Sequence, residues 1–276
     1  MAQTSTKDLG AGLTAYRLEV PGQALELVPA RGGIVTRWQV DGEDLLSLDE
    51  ATLLDTSKSV RGGIPQLFPS PGKPTPGSPL AQHGFARQRA FQPVATEGPT
   101  LACELASDAA TRALFPHDFT LRFEASLQPR RLHLSWAVSN PASTPLPLHL
   151  GIHPYFLVPV ARKAAARVEH TASRAFDNIG GAAVPVGPVD FDGPEVDLHL
   201  EGLAHPTATL HRGGGRPLRL SWTAHFGVLV LWTQPGKDFI CVEPWTARGG
   251  ALASGKGLLH VGPGATEHLA IDFHLD

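Results

Sequence analysis

Short runs of alternating apolar and polar residues, cut repeatedly by glycine and proline, restrict this chain to strands. Residues 119–127 (Phe-Thr-Leu-Arg-Phe-Glu-Ala-Ser-Leu) and 131–138 (Arg-Leu-His-Leu-Ser-Trp-Ala-Val) alternate without a break. A period of two puts one side chain in each pair toward a core and the other toward solvent. Residues 25–29, 34–40, 207–211, 218–222 and 267–275 read the same way, and 228–232 is a continuous apolar run. Twenty-nine glycines and 25 prolines supply the turns between them. One helical segment is predicted, over residues 107–115, with Ser107 or Asp108 as its N-cap and Pro116 closing it after one or two turns. The expected fold class is therefore all-β, an antiparallel sandwich with few helical turns. No linker, composition shift or internal repeat divides the chain, so residues 1–276 are expected to form one domain.

Bulk chemistry removes several function classes. A formal charge of -3 and a pI near 6.5 leave no basic footprint for nucleic acid or an anionic membrane. Cys103 and Cys241 are too few for a disulfide framework or a cysteine-based zinc cluster. The amino terminus is polar, unlike a signal peptide, and no stretch reaches the ~20 apolar residues that span a bilayer. The expectation is a cytoplasmic protein, with no partner of strong charge predicted by the bulk balance. No feature of the chain assigns an oligomeric state.

Three residues stand in distinctive local frames. His83 lies in Gln-His-Gly-Phe-Ala-Arg (82–87), His153 in Gly-Ile-His-Pro-Tyr-Phe (151–156), and Glu243 in Phe-Ile-Cys-Val-Glu-Pro-Trp (239–245). Imidazole and carboxylate together give a proton donor and acceptor near neutral pH. A histidine beside an aromatic is more often packed than catalytic, and most of the 13 histidines, His117, His149 and His199 among them, read as structural or surface groups. Glu243 is more pointed. It ends an apolar run that reads as a buried strand, so its carboxylate must be paired or functional. Desolvation would raise its pKa toward the range of a general base, and the structural alternative is an ion pair to Arg61 or Arg87. Residues 69–79 hold five prolines and two glycines, which excludes a central strand and makes an irregular loop leading into the His83 frame, expected to form one rim of the site.

These frames, with Arg-Gly-Gly-Ile-Pro (61–65), Leu-Phe-Pro (67–69), Pro-Ala-Arg-Gly-Gly (29–33), Phe-Pro-His-Asp-Phe (115–119), Val-Ser-Asn (138–140) and Gly-Pro-Gly (262–264), resemble the aldose 1-epimerase (mutarotase) superfamily. The resemblance implies a large antiparallel β-sandwich with a concave sugar site, interconverting sugar anomers without metal or redox cofactor. By the same resemblance Glu243 is the base, His153 the acid that protonates the ring oxygen, and His83 a binder of sugar hydroxyls. Arg61 and Arg87 are expected to line the cleft, where with Lys73 they could hold a 6-phosphate. The Arg-Gly-Gly-Ile-Pro and His-Gly-Phe-Ala-Arg frames look like the hexose-6-phosphate branch, while Glu-Pro-Trp looks like a bacterial aldose 1-epimerase branch. An aspartate that binds sugar hydroxyls is also implied, with Asp197 favoured over Asp177. Aromatic platforms could come from Phe68, Phe85, Tyr155 or Trp245. Two other readings compete: a catalytically silent carbohydrate-binding protein on the same fold, and a metal site formed by His83, His153 and Glu243.

Overall fold

A computed structural model describes residues 2–276. Two eight-stranded antiparallel sheets face one another, joined by a five-stranded amino-terminal sheet and a two-stranded ribbon. This is the all-β antiparallel sandwich that the alternation predicts. The back sheet runs, in spatial order, through Ala166–His170, Thr207–Arg212, Leu218–Trp222, Thr266–Leu275, Arg131–Ser139, Thr120–Gln128, Thr100–Ala106 and Gln92–Val94. The front sheet runs through Ala182–Val184, Arg174–Asp177, Val196–Glu201, Val228–Thr233, Phe239–Trp245, Gly151–Ile152 and Gln66–Leu67, with Tyr155–Leu157 also paired to Phe239–Trp245.

The register of the back sheet follows from its alternation. Trp136 stands opposite both Phe123 and Leu269, and Leu134 opposite Ala125 and Ile271, all buried. The intervening residues, such as Arg131, His133 and Asp272, face outward and pair with each other. A one-residue slip would expose every one of these apolar side chains, the larger of which each contribute roughly 1.5–3 kcal/mol by burial. The front sheet closes the core from the other side with Leu200, Leu229, Leu231, Ile240 and Val242.

The two central strands of the front sheet are largely buried on both faces. Along 228–232, Leu229 and Leu231 enter the core, while Val230 and Trp232 lie on the opposite face. Along Phe239–Trp245, Ile240 and Val242 enter the core, and Cys241, Glu243 and Trp245 share the other face. That is why these runs are apolar throughout rather than alternating.

The helix expected over 107–115 is the six-residue Ala109–Leu114, capped by Asp108, whose side chain accepts from the Thr111 N–H while the Asp108 N–H donates to Thr111 Oγ1. A second short helix, Glu50–Leu54 with Asp49 as its cap, is absent from the sequence expectation. It is one turn long, too short for a periodic signal. Among the described residues no helix is long and apolar enough to cross a membrane.

Candidate active site

The central histidine and carboxylate meet because of strand register. Gly151 pairs with Trp245, and Tyr155 with Cys241. The same register carried across the gap sets His153 opposite Glu243. The ladder lapses between these two pairings, where Pro154 and Pro244 have no N–H to donate. The His153 N–H goes instead to the Pro65 carbonyl, 3.1 Å away. On the other side, Glu243 pairs with Val230 and Val230 with His199, while Cys241 pairs with Trp232 and Trp232 with Asp197. Chemistry-bearing side chains thus line adjacent rows on one face of the front sheet, outside the core.

His153 Nε2 lies 3.4 Å from Glu243 Oε1, and the Trp245 indole N–H donates to Glu243 Oε2 at 3.2 Å. Glu243 is 1% and His153 7% exposed. Burial holds the Glu243 carboxyl well above the usual carboxylate range, and the charge of Asp197 adds to this; the Trp245 bond and Arg87 oppose it. Burial pushes the His153 imidazole well below its ordinary value, and His83 and Arg87 act in the same direction. Both directions disfavour the charged forms and favour a carboxylic acid beside a neutral imidazole. The His153 ring stacks on Tyr155, with centroids 4.7 Å apart, and meets Trp232 edge-on.

His83 adopts a left-handed backbone (φ 67°), followed by Gly84 at φ 72°. A Cβ at Gly84 would collide with the Phe68 carbonyl oxygen, so the close turn requires glycine. The Gly72 N–H donates to His83 Nδ1 at 3.1 Å, which leaves the proton of the neutral ring on Nε2. Burial, reinforced by Arg87, drives His83 down to about 3, so it stays neutral. Gly72 and Lys73 also line the cleft, and the proline-rich loop is one rim of the site as its position in the chain suggested.

A cleft of about 620 Å³ opens above this pair, a size typical of small-molecule sites. Arg61, Arg87 and Asp197 line it together with the two histidines and Glu243. Among the described residues no ion pair joins Arg61, Arg87 or Lys73 to a carboxylate, so the ion pair from Glu243 to Arg61 or Arg87 does not form. Arg87 donates through Nη2 to the Gln82 carbonyl at 2.9 Å, and its buried Nε has no partner. Asp197 accepts from His199 Nε2 at 3.2 Å and from the Asn178 amide at 2.6 Å. Burial, the largest influence, pushes Asp197 upward, yet these two bonds outweigh it and hold the carboxyl below its ordinary value. Asp177 is not among the lining residues and accepts from the Ile179 N–H in its own turn.

Several lining residues were not singled out from the sequence. His199 was read as structural, although Asp197-Leu198-His199 spacing already places it on the same strand face as Asp197. Trp232 is a partly exposed wall whose indole donates to Glu195 at 3.0 Å, with the Arg61 guanidinium 6.0 Å above its ring. Phe68 and Phe85, named as platforms, instead pack into an aromatic cluster with Phe115 and Phe119. The compact set of metal-capable atoms among the described residues comprises His153, Cys241 and Glu243, all within 4.8 Å of one another, and omits His83.

The aldose 1-epimerase family model matches residues 15–191. The chain belongs to the aldose 1-epimerase family. The matched segment holds Arg61, His83, Arg87 and His153, whereas Asp197 and Glu243 lie beyond it. The Slr1438 protein from Synechocystis sp. PCC 6803 superimposes with a TM-score of 0.91 and 32% identity over 95% of each chain. A galactose mutarotase-like protein from Clostridium acetobutylicum has the same fold, with a TM-score of 0.84 at 15% identity over 99% of this chain and 98% of its own. A Salmonella typhimurium protein provisionally named glucose-6-phosphate 1-epimerase is 38% identical over 96 residues, which span 33% of this family member and 32% of that protein. A like-named Escherichia coli protein is 32% identical over 96 residues, again 32% of its length. The chain thus aligns with about a third of the length of these two curated relatives.

Proposed function

We propose that this aldose 1-epimerase family member interconverts the α and β anomers of a hexose by general acid–base ring opening and closure. The observation that carries this is the buried His153–Glu243 contact of 3.4 Å at the base of a polar cleft. The two oxygens that must exchange a proton, the C1 hydroxyl and the ring oxygen, are bonded to one carbon, so donor and acceptor must be neighbours. Glu243 as carboxylate removes the C1 hydroxyl proton while the C1–ring oxygen bond breaks, and His153 as imidazolium protonates the departing ring oxygen. The product is the open aldehyde with a free hydroxyl. Rotation about C1–C2 exposes the other carbonyl face, and closure with the roles exchanged returns the opposite anomer.

The reactive protonation pattern has the same proton count as the resting pair. Moving the single proton from Glu243 to His153 produces it, and a bound sugar's hydroxyls stabilise the charges so formed. His83 offers Nε2–H to a sugar hydroxyl, and Asp197 accepts from others. Residues 1–276 work as one domain in this scheme, supported by a core cluster whose members run from Leu18 to Leu275.

Exchange NMR of anomer interconversion with glucose and galactose tests the proposal. Glu243→Gln and His153→Ala should each lower the rate about 10²–10⁴-fold. Sugar binding without acceleration by the unaltered protein would instead support a silent carbohydrate binder.

A hexose 6-phosphate is the second substrate reading, favoured by Arg61, Lys73 and Arg87 lining the cleft without carboxylate partners. Arg61→Gln and Lys73→Gln should then raise KM for glucose 6-phosphate by about tenfold or more, a charge-assisted hydrogen bond being worth roughly 1.5–3 kcal/mol, and leave glucose unaffected. Equal changes for both sugars would exclude a phosphate role.

A further inference from the structure

Cys241 takes no part in the proton transfers above, yet it stands beside both groups that do. It precedes Glu243 by two residues on one strand, so both side chains share a face, and its cross-strand neighbours are Tyr155 and Trp232. His153 approaches the same point from the adjoining strand. One ligating atom from each of the three residues lies within 4.8 Å of the others, and His153 to Glu243 is already 3.4 Å. A tetrahedral ion bonded at about 2.0–2.3 Å to nitrogen, oxygen and sulfur sets its ligands about 3.5 Å apart, so the wider spacings here close by about 1 Å on binding.

We propose that His153, Cys241 and Glu243 form a site for one thiophilic divalent cation of the Zn²⁺ or Cd²⁺ type. Three features select that class. A thiolate, an imidazole and a carboxylate match borderline and soft ions, whereas Mg²⁺ and Ca²⁺ require oxygen ligands. The aromatic shell of Tyr155, Trp232 and Phe239 leaves little room for the water that a hard ion retains. Charge also balances: a 2+ ion with one thiolate, one carboxylate and a neutral imidazole is uncharged, which suits a buried site. On binding, the Cys241 thiol and the Glu243 carboxyl each release a proton to solvent, and bonds form from the ion to sulfur, a carboxylate oxygen and an imidazole nitrogen. Glu243 and His153 line the cleft, which gives an ion its route to the site.

Occupation removes both members of the acid–base pair, so the cation inhibits anomer exchange; this consequence, unlike the binding itself, rests on the proposed function. Cys103 is a built-in control. It is buried in the main core, against Gly33 and away from the cleft.

Cd²⁺ titration of the purified protein, followed by sulfur-to-metal charge-transfer absorbance and by calorimetry, tests the site without reference to activity. One Cd²⁺ per chain with a charge-transfer band, retained in Cys103→Ala and lost in Cys241→Ala, is the expected result. Cys241→Ala should weaken Cd²⁺ by more than the about 10–100-fold that follows loss of a group hydrogen-bonded to a metal ligand. The same variant should keep its sugar exchange and resist Cd²⁺, while Mg²⁺ has no effect on either protein. Absence of the band from the unaltered protein, or unchanged Cd²⁺ affinity in Cys241→Ala, would overturn the site. Binding that persists in a protein inactive on every sugar would overturn the epimerase proposal and leave the metal site standing.

Discussion

Under the proposed function Asp197 binds sugar hydroxyls, and its surroundings suit a carboxylate to that role. Its two oxygens each accept one protein hydrogen bond, from His199 and from Asn178, which fixes its plane and keeps it ionised despite burial. The lone pairs that remain can accept from donors entering the cleft. His199 is therefore a positioning residue, and its own ring is held by an edge-on contact with Trp245. His199→Leu should let burial dominate Asp197 and raise its pKa. KM should rise by about tenfold, the value of one charge-assisted hydrogen bond of ~1.5 kcal/mol, with kcat little changed. The loss should be smaller at higher pH, where Asp197 ionises again. A uniform fall in kcat with a pH-independent KM would mean that His199 serves the chemistry or the packing instead.

The strand pairing that sets His153 opposite Glu243, the proposed acid–base pair, depends on glycine at 151. A side chain there would sit 2.6 Å from the Trp245 ring and 3.2 Å from Pro71, too near for either to remain in place. Trp245 supplies the hydrogen bond to Glu243, so displacing it acts on the reactive pair through one intermediate. Gly151→Ala should destabilise the fold by about 1–3 kcal/mol, the usual cost of overpacking. It should also slow anomer exchange further than the stability loss explains. Urea denaturation and exchange NMR on the same preparation separate the two effects. Gly151 was legible as part of a motif, but its reason was not, because Trp245 lies 94 positions away in the chain and is brought close only by pairing.

At the scale of the whole molecule, buried histidines make the fold sensitive to acid. His83 is lowered to about 3 and His149 to about 4, chiefly by burial in both cases. Both are neutral in the native protein at pH 5, while the unfolded chain protonates them below about 6.5. The unfolded state then binds more protons, so stability rises with pH and is lost as pH falls from about 6.5 toward 4. Each histidine contributes about 1.4 kcal/mol per pH unit over that window, giving roughly 2–3 kcal/mol per unit for the two. In the buried pair the lowered His153 and the raised Glu243 act on this slope with opposite signs. Thermal melts between pH 7 and pH 5 should show this decline, and His149→Gln should reduce its slope by about half. An identical slope in the variant would show that other groups govern acid lability.

The sequence by itself determined the all-β class, most strand positions, the capped helix near residue 109, and the frames around His83, His153 and Glu243. These are local signals: alternation, turn residues and caps are written within a few neighbouring positions. Apolar runs such as 228–232 were legible as strands, but not which of their side chains face the cleft, since both parities are apolar. Trp232 stayed hidden for that reason, and the choice between Asp197 and Asp177 stayed open. Only the tertiary structure decided that His153 stands across from Glu243, that Asp197 turns to the same cleft, and that Cys241 lies beside the pair. Strand register fixes all three, and register is set by pairing between segments roughly 35–90 residues apart, which no local periodicity encodes.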